Sequence, residues 1–284
     1  MTIAAGFKVR DGIVMCADTM YTAAMKIHAD KLFAGHVDQG LESGDGRCSW
    51  IFALAGNEAY AKMAIDDCIE AILALSAEAR NSQSVKSSLR AAIKRVNDEY
   101  VDTRPAGEKD LARFELLIAV ATTDSVPVLY STSGPALMES REYECIGSGA
   151  YLGHYLIRPA FSESLTISNA VLIAAQALAA AKEYDASCGG RSTFMVLHND
   201  LSITPITHYD FRQMEAKLSD YEQASKEFLL SLGNPRTGDA AFNEALLKFT
   251  DSIREIRRTW EVEGEEFEAM VKSLEFERLE RDDD

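Results

Sequence analysis

The order in which strand-forming and helix-forming stretches follow one another limits the fold of this chain more than any other feature. Two short runs rich in β-formers, Thr2 to Lys8 and Gly12 to Asp18, flank Arg10-Asp11-Gly12, and an Asp-Gly pair between apolar runs is a strong local signal for a β-hairpin. Further runs of strand character are Cys48 to Leu54, Phe114 to Ala121, Val126 to Tyr130, Tyr143 to Ile146, Thr193 to Leu197 and Leu201 to Ile206, with Asn199-Asp200 as a two-residue turn between the last two. Other stretches carry apolar residues every three or four positions: Asn57 to Ala77, Val85 to Tyr100, and an Ala- and Leu-rich block from Ser168 to Tyr184 that either Ser168 or Asn169 can cap. The succession is strands, two helices, strands, one helix, strands. A doubly wound parallel sheet needs regular βαβ alternation, so this order selects a layered α+β fold with helices packed on antiparallel sheets.

Beyond His208 the strand signals stop. Met214, Leu218, Tyr221 and Phe228 recur at helical spacing, Gly233-Asn234-Pro235 breaks the pattern, and Phe242, Leu246, Phe249, Ile253, Ile256 and Trp260 form a second stripe before Gly264. A short third stripe follows at Phe267, Val271 and Leu274, and Asp282-Asp283-Asp284 reads as a frayed end. Residues 210–284 hold 20 acidic and 11 basic residues and so supply most of the net charge of −16. The chain therefore divides into a domain over residues 1–209 and an acidic helical extension over 210–284, a helical hairpin in its simplest form. Apolar stripes on short helices need a partner surface, and an assembly or gating role is the expectation for this extension.

The acidity argues against binding nucleic acid or anionic membrane, both of which need clustered Lys and Arg. Five scattered cysteines without a CxxC pair suggest neither a disulfide framework nor a zinc ribbon, and the five histidines have no paired-ligand spacing, so no metal or cofactor is expected. A reducing cytoplasm fits best. The start lacks the basic-then-apolar layout of a secretory signal, so the mature chain is expected to begin at or next to residue 1. Two glycine-rich stretches lead nowhere. Gly147 to Gly153 is GxGxxxG rather than a dinucleotide loop, and Cys188-Gly189-Gly190-Arg191-Ser192 lacks the Lys-Ser/Thr of a P-loop and reads as a turn.

Thr2 is the informative residue. It follows an initiator Met of the kind aminopeptidases remove before small residues, and a free α-amine, with an ordinary pKa of about 7.7 to 8.0, can act as base for its own residue's hydroxyl. A nearby ammonium would lower the hydroxyl's pKa, and a carboxylate would orient that ammonium.

In its opening Thr2-Ile3-Ala4-Ala5-Gly6-Phe7-Lys8, its Asp11-Gly12-Ile13-Val14-Met15-Cys16-Ala17-Asp18-Thr19 run, and Asp30-Lys31-Leu32-Phe33, Leu54-Ala55-Gly56, Gly147-Ser148-Gly149 and Asp185-Ala186-Ser187-Cys188-Gly189-Gly190, the chain resembles the proteasome β-type subunits, which are N-terminal-nucleophile hydrolases. The resemblance covers residues 2 to about 207. It implies a four-layer αββα sandwich of two antiparallel sheets flanked by helices. It also implies a threonine peptidase with Thr2 as nucleophile, Asp18 as orienting carboxylate, Lys31 (or Lys26 in a shifted alignment) as activating ammonium, and the Gly56 N–H as oxyanion donor. Ser148 and Asp185 match the residues that support the α-amine. Cys188 stands where the family has serine, and a thiol is a weak donor and acceptor. By the same resemblance Tyr21, Ala29, Phe33, Leu54 and Glu58 surround the substrate side chain ahead of the scissile bond, an acidic Glu58 favouring a basic residue there. The implied partners are copies of this chain, in a ring or stacked homo-oligomer, and a peptide or unfolded-protein substrate. A non-catalytic scaffold subunit of the same fold, or an amidase acting on a non-protein amide, are the alternatives.

Overall fold

A computed structural model describes residues 2–22, 26–38, 46–162, 164–206, 208–234 and 237–282. The chain forms two compact units, Met1–Pro205 and Ile206–Asp284. The strands are β1 (Ala4–Val9), β2 (Gly12–Asp18), β3 (Met20–Thr22), β4 (Lys26–His28), β5 (Leu32–Val37), β6 (Cys48–Gly56), β7 (Phe114–Thr122), β8 (Ser125–Ser133), β9 (Ala136–Ser140), β10 (Tyr143–Ile146), β11 (Ser192–His198) and β12 (Ile203–Ile206). The helices are α1 (Glu58–Leu73), α2 (Ser82–Val96), α3 (Lys109–Ala112), α4 (Ala150–Ile157), α5 (Ile167–Tyr184), α6 (His208–Gly233) and α7 (Asp239–Asp282). No helix among the described residues is long and apolar enough to cross a membrane.

The strands form two five-stranded sheets, ordered β10-β1-β2-β11-β12 and β5-β6-β7-β8-β9, with β3-β4 as a separate ribbon. Antiparallel pairing of β1 with β2 closes the predicted hairpin, Val9 opposite Gly12. Every residue of β2 is buried, because side chains alternate across a strand and both faces of this one are covered. Ile13, Met15 and Ala17 pack with Ile51, Ala53, Ala55, Leu117, Ala119 and Leu129 in a core between the sheets. The alternate residues, Val14, Cys16 and Asp18, face the opposite way, toward α5, whose buried face of Ala170, Ala174, Ala177 and Ala181 lets the helix lie close. On the far side of the second sheet, Trp50, Phe52, Leu54, Leu116 and Ile118 pack against Ile65, Cys68 and Ile72 of α1 and Leu89, Ile93 and Val96 of α2. The result is the αββα sandwich, its layers held by apolar side chains whose full burial stabilises by about 1.5–3 kcal/mol each.

Several local expectations change. Strands β3, β4, β5 and β9 and helix α4 carry too few β-formers, or too short a period, to stand out in the sequence. The run Gly147 to Gly153, given no secondary structure by the sequence, enters α4 at Ala150. Thr166, not Ser168 or Asn169, caps α5: its hydroxyl accepts from the Asn169 N–H at 3.3 Å while the Asn169 side chain answers back, a reciprocal capping box. Asn199-Asp200 does form the central pair of the turn, across which Leu201 N–H donates to the His198 carbonyl at 3.1 Å. One further residue, Leu201 with φ +73°, follows that pair, so that His198 N–H donates to the Ser202 carbonyl at 2.9 Å.

The second unit is a helical hairpin of two helices rather than three. Helix α7 runs through Gly264, since one helical glycine costs about 1 kcal/mol and does not by itself end a helix. The side chains of Phe267, Val271 and Leu274, and residues Asp283 and Asp284, lie outside the described ones. Phe228 stacks on Phe249 with ring centroids 5.1 Å apart and meets Phe242 at 6.0 Å, and Lys217 pairs with Glu255 at 3.9 Å. These contacts run α6 and α7 antiparallel, as the two longer stripes predict.

Candidate active site

Thr2 lies just ahead of β1, and Asp18 is the last residue of β2, so the hairpin brings the two together. Asp18 N–H donates to the Ile3 carbonyl at 3.2 Å, and Ile3 N–H donates to Asp18 Oδ1 at 3.1 Å. Lys31 arrives from the second sheet, where its carbonyl accepts from Leu54 N–H at 3.3 Å at the start of β5. The Thr2 hydroxyl bonds to Asp18 Oδ1 and receives the Lys31 ammonium. That ammonium also donates to Asp18 Oδ1 at 2.7 Å and to the Met20 carbonyl at 2.5 Å, and lies 4.8 Å from the centre of the Tyr21 ring. The other carboxylate oxygen, Asp18 Oδ2, accepts from Gly189 N–H at 3.0 Å and Met20 N–H at 3.3 Å. Asp18 and Lys31 are fully buried and Thr2 is 2% exposed.

Burial pushes the Lys31 pKa down, and the attraction of Asp18 only partly opposes it. A buried ion pair is seldom a net gain in stability over apolar residues of the same volume. Its placement on a hydroxyl is therefore better explained by chemistry than by folding. Lys31 is the ammonium at this hydroxyl; the side chain of Lys26, the other candidate, lies outside the described ones.

The Thr2 carbonyl is held as closely as its hydroxyl. Gly149 N–H donates to it at 3.2 Å and the Ser148 hydroxyl reaches it at 3.5 Å. Gly147 has φ +89°, and a Cβ there would stand 2.2 Å from the Thr2 oxygen, so both conformation and space demand glycine. Ser148, Asp185 and Cys188 are in one hydrogen-bonded group. Burial acts to raise the Asp185 pKa, but hydrogen bonds from the Ser187 backbone, Ser148, the Ser187 side chain and Cys188 hold it below the ordinary carboxylate range. Burial, with the charges of Asp18 and Asp185 adding to it, pushes the Cys188 thiol up to about 12. Cys16 and Cys48 reach about 12 for the same first cause, and Cys68 and Cys145 are raised as well. Burial thus disfavours the thiolate at all five cysteines.

Gly56 ends β6 with φ +83°, and a Cβ would meet the Arg113 carbonyl at 2.6 Å. It immediately precedes Asn57, which caps α1 by accepting from Tyr60 N–H at 3.3 Å, so the Gly56 backbone sits at a helix start. Among the expected pocket residues, Tyr21 belongs to the apolar cluster against which Ala29 and Phe33 pack, half-buried. Leu54 is fully buried and supports that wall without opening onto it. Glu58 does not present an uncompensated charge: Lys62 pairs with it at 2.6 Å and lies 5.9 Å from the Phe33 ring centre. Sequence reasoning missed Met20, Gly189 and Lys62. The first two act through the backbone, and only the Gly189-Gly190 pair, read as a turn, gave any sign of a close approach.

The fold is that of the N-terminal-nucleophile hydrolases, with a Thr-Asp-Lys cluster at the start of its first strand. Among solved structures the chain is similar to the Anbu complex from Pseudomonas aeruginosa, described as a helical assembly, with TM-score 0.67 and 15% identity over 83% of this chain and 98% of that one. It is also similar to the Gly-1 mutant of Anbu from Hyphomicrobium sp. strain MC1 (TM-score 0.63, 15% identity, 79% of this chain and 96% of that one) and to Anbu, an ancestral β-subunit, from Yersinia bercovieri (TM-score 0.63, 14% identity, 78% and 95%). At these identities the likeness is one of fold. By sequence, no protein-family model matches the chain and no curated protein is similar to it.

Proposed function

We propose that this chain is a proteasome-like threonine peptidase whose nucleophile is Thr2, freed by removal of Met1, and that it works as a homo-oligomer. The observation that carries this reading is the Thr2 hydroxyl held between a fully buried Asp18 carboxylate and a fully buried Lys31 ammonium. Met1 itself lies outside the described residues.

In the proposed reaction the free α-amine of Thr2 takes the hydroxyl proton as Oγ1 bonds to the amide carbonyl carbon. Lys31, held by Asp18, favours the developing alkoxide, and the negative charge on the former carbonyl oxygen meets the Gly56 N–H, a donor worth about 3 kcal/mol in a preorganised site. The C–N bond then breaks and the leaving amine carries off the proton from the α-ammonium, leaving an ester on Thr2. Water gives a proton to the α-amine and attacks that ester, the acyl–oxygen bond breaks, and Thr2 Oγ1 recovers its proton. Ser148, Asp185 and Cys188 support the α-amine in this scheme.

The test is a mass measurement followed by labelling. The purified chain is expected to lack Met1, to run as an oligomer in native mass spectrometry, and to take one equivalent of a β-lactone or epoxyketone that Thr2→Ala does not take. A retained Met1, or label unaffected by Thr2→Ala, defeats the reading, and a monomer defeats the assembly part of it.

Tyr21, Ala29, Phe33 and Glu58 are proposed to meet the substrate side chain before the scissile bond. Because Lys62 already pairs with Glu58, a basic side chain finds little uncompensated negative charge there. Fluorogenic peptides ending in Leu or Arg are expected to differ by less than about tenfold in kcat/KM, which is about 1.4 kcal/mol. A strong preference for Arg would show that the pair opens to admit it.

A further inference from the structure

The groups proposed to carry the reaction come from two sheets. Thr2 and Asp18 belong to the β1–β2 hairpin, while Gly56 ends β6 of the other sheet. A nucleophile and an oxyanion donor must keep their separation to within a fraction of an ångström, since a displacement of about 1 Å can cost about a hundredfold in rate. Lys31 ties the sheets together through the Thr2 hydroxyl. A second tie reaches Thr2 through its carbonyl.

Glu115 stands on β7 opposite Ala55, next to the pair Gly56 and Phe114. Every other residue of β7 is buried, and Glu115 alone is exposed, so packing does not explain it. Its Oε2 accepts from the Gly147 N–H at 2.8 Å. Gly147 begins the turn whose Gly149 N–H holds the Thr2 carbonyl and whose own Cα faces that carbonyl too closely for any side chain. The carboxylate thus runs from the strand register that sets Gly56 to the turn that sets Thr2. A hydrogen bond to a charged acceptor is about twice as strong as a neutral one, which suits a tie made at the surface.

We infer that Glu115 is a positioning residue, which fixes Thr2 relative to Gly56 by anchoring the Gly147 to Gly149 turn. The inference rests on the proposed role of Thr2. Glu115→Ala is expected to lower kcat about tenfold with KM changed less than about twofold, to slow β-lactone labelling of Thr2 in proportion, and to quicken amide exchange at Gly149 about tenfold. Glu115→Gln keeps an acceptor oxygen and is expected to stay within about threefold of wild type in all three. The thermal midpoint is expected to move little in either variant, as the side chain is exposed. Unchanged turnover and exchange in Glu115→Ala, equal losses in the Ala and Gln variants, or a loss confined to KM would overturn the inference. Exchange that quickens in Glu115→Ala while wild-type Thr2 takes no label would leave the tie standing and remove the Thr2 reading instead.

Discussion

Lys31→Met is expected to lower turnover by about a thousandfold while the domain stays folded, whereas Asp18→Ala is expected to lose both activity and the stable fold. The two partners of this ion pair are not equivalently supported. Without Lys31, the Asp18 carboxylate still accepts N–H bonds from Ile3, Met20 and Gly189, which is the arrangement that keeps a buried carboxylate tolerable. Without Asp18, the partners the Lys31 ammonium keeps among the described residues are the Met20 carbonyl, the Thr2 hydroxyl and the Tyr21 ring. Removing one partner of a buried pair costs about 3–5 kcal/mol when the other is left uncompensated, and that cost falls on Asp18→Ala. Urea unfolding of the two variants beside wild type reads the difference; equal losses would refute the asymmetry.

The same lysine sets opposite pH trends for activity and stability. Its pKa in the folded chain lies below the ordinary value of 10.5 because burial disfavours the charged form. Under the proposed mechanism the ammonium at Thr2 is therefore expected to be lost, and kcat/KM to fall, at a lower pH than for an exposed lysine. Between the lowered pKa and 10.5 the unfolded chain binds more protons at this residue than the folded one, so this residue's contribution to stability rises with pH over that window. Below the lowered pKa both states are protonated and its contribution no longer changes. In Lys31→Met the rising contribution to stability is expected to vanish.

Gly147→Ala is the second substitution with a large expected effect. A Cβ at 2.2 Å from the Thr2 carbonyl oxygen meets backbone, which cannot swing aside as a flexible side chain can, and φ +89° is strained for alanine even without that contact. The variant is expected to lose about 2–4 kcal/mol of stability and, where still folded, about a hundredfold in kcat as Thr2 moves. Gly134→Ala is the control: φ is +55° but nothing lies within 4 Å of the added carbon, so conformational strain of about 1–2 kcal/mol is the whole cost. Similar losses at the two positions would show that conformation, not the approach to Thr2, governs Gly147.

The sandwich was legible because its long strands and helices have clean periods. The Asp11-Gly12 turn, the β-rich runs around it and the Ala-rich α5 all announce themselves, and the helical hairpin follows from two apolar stripes. What escaped was decided by neighbours in space. Strand β5 contains Ala34, Gly35 and His36, poor strand formers taken alone, and is a strand because β6 pairs with all six of its residues. Gly264 sits in a helix where a break looked equally reasonable. The meeting of Thr2, Asp18 and Lys31 could be anticipated from a family resemblance, yet the backbone donors to Asp18 and the Lys62 partner of Glu58 have no signature in the sequence, because any residue type can supply an amide and because i,i+4 pairing on α1 resembles an ordinary solvated helix face.

The hydrogen bond from Gly189 to Asp18 spans 171 residues of chain. A ribosome that has made Thr2, Asp18 and Lys31 has therefore not yet made the site, since the loop that completes the carboxylate emerges only near the end of the first unit. Under the proposed reading, competence to hydrolyse an amide would belong to the finished domain, and a nascent or truncated chain ending before residue 189 would carry Thr2 without the setting proposed to activate it.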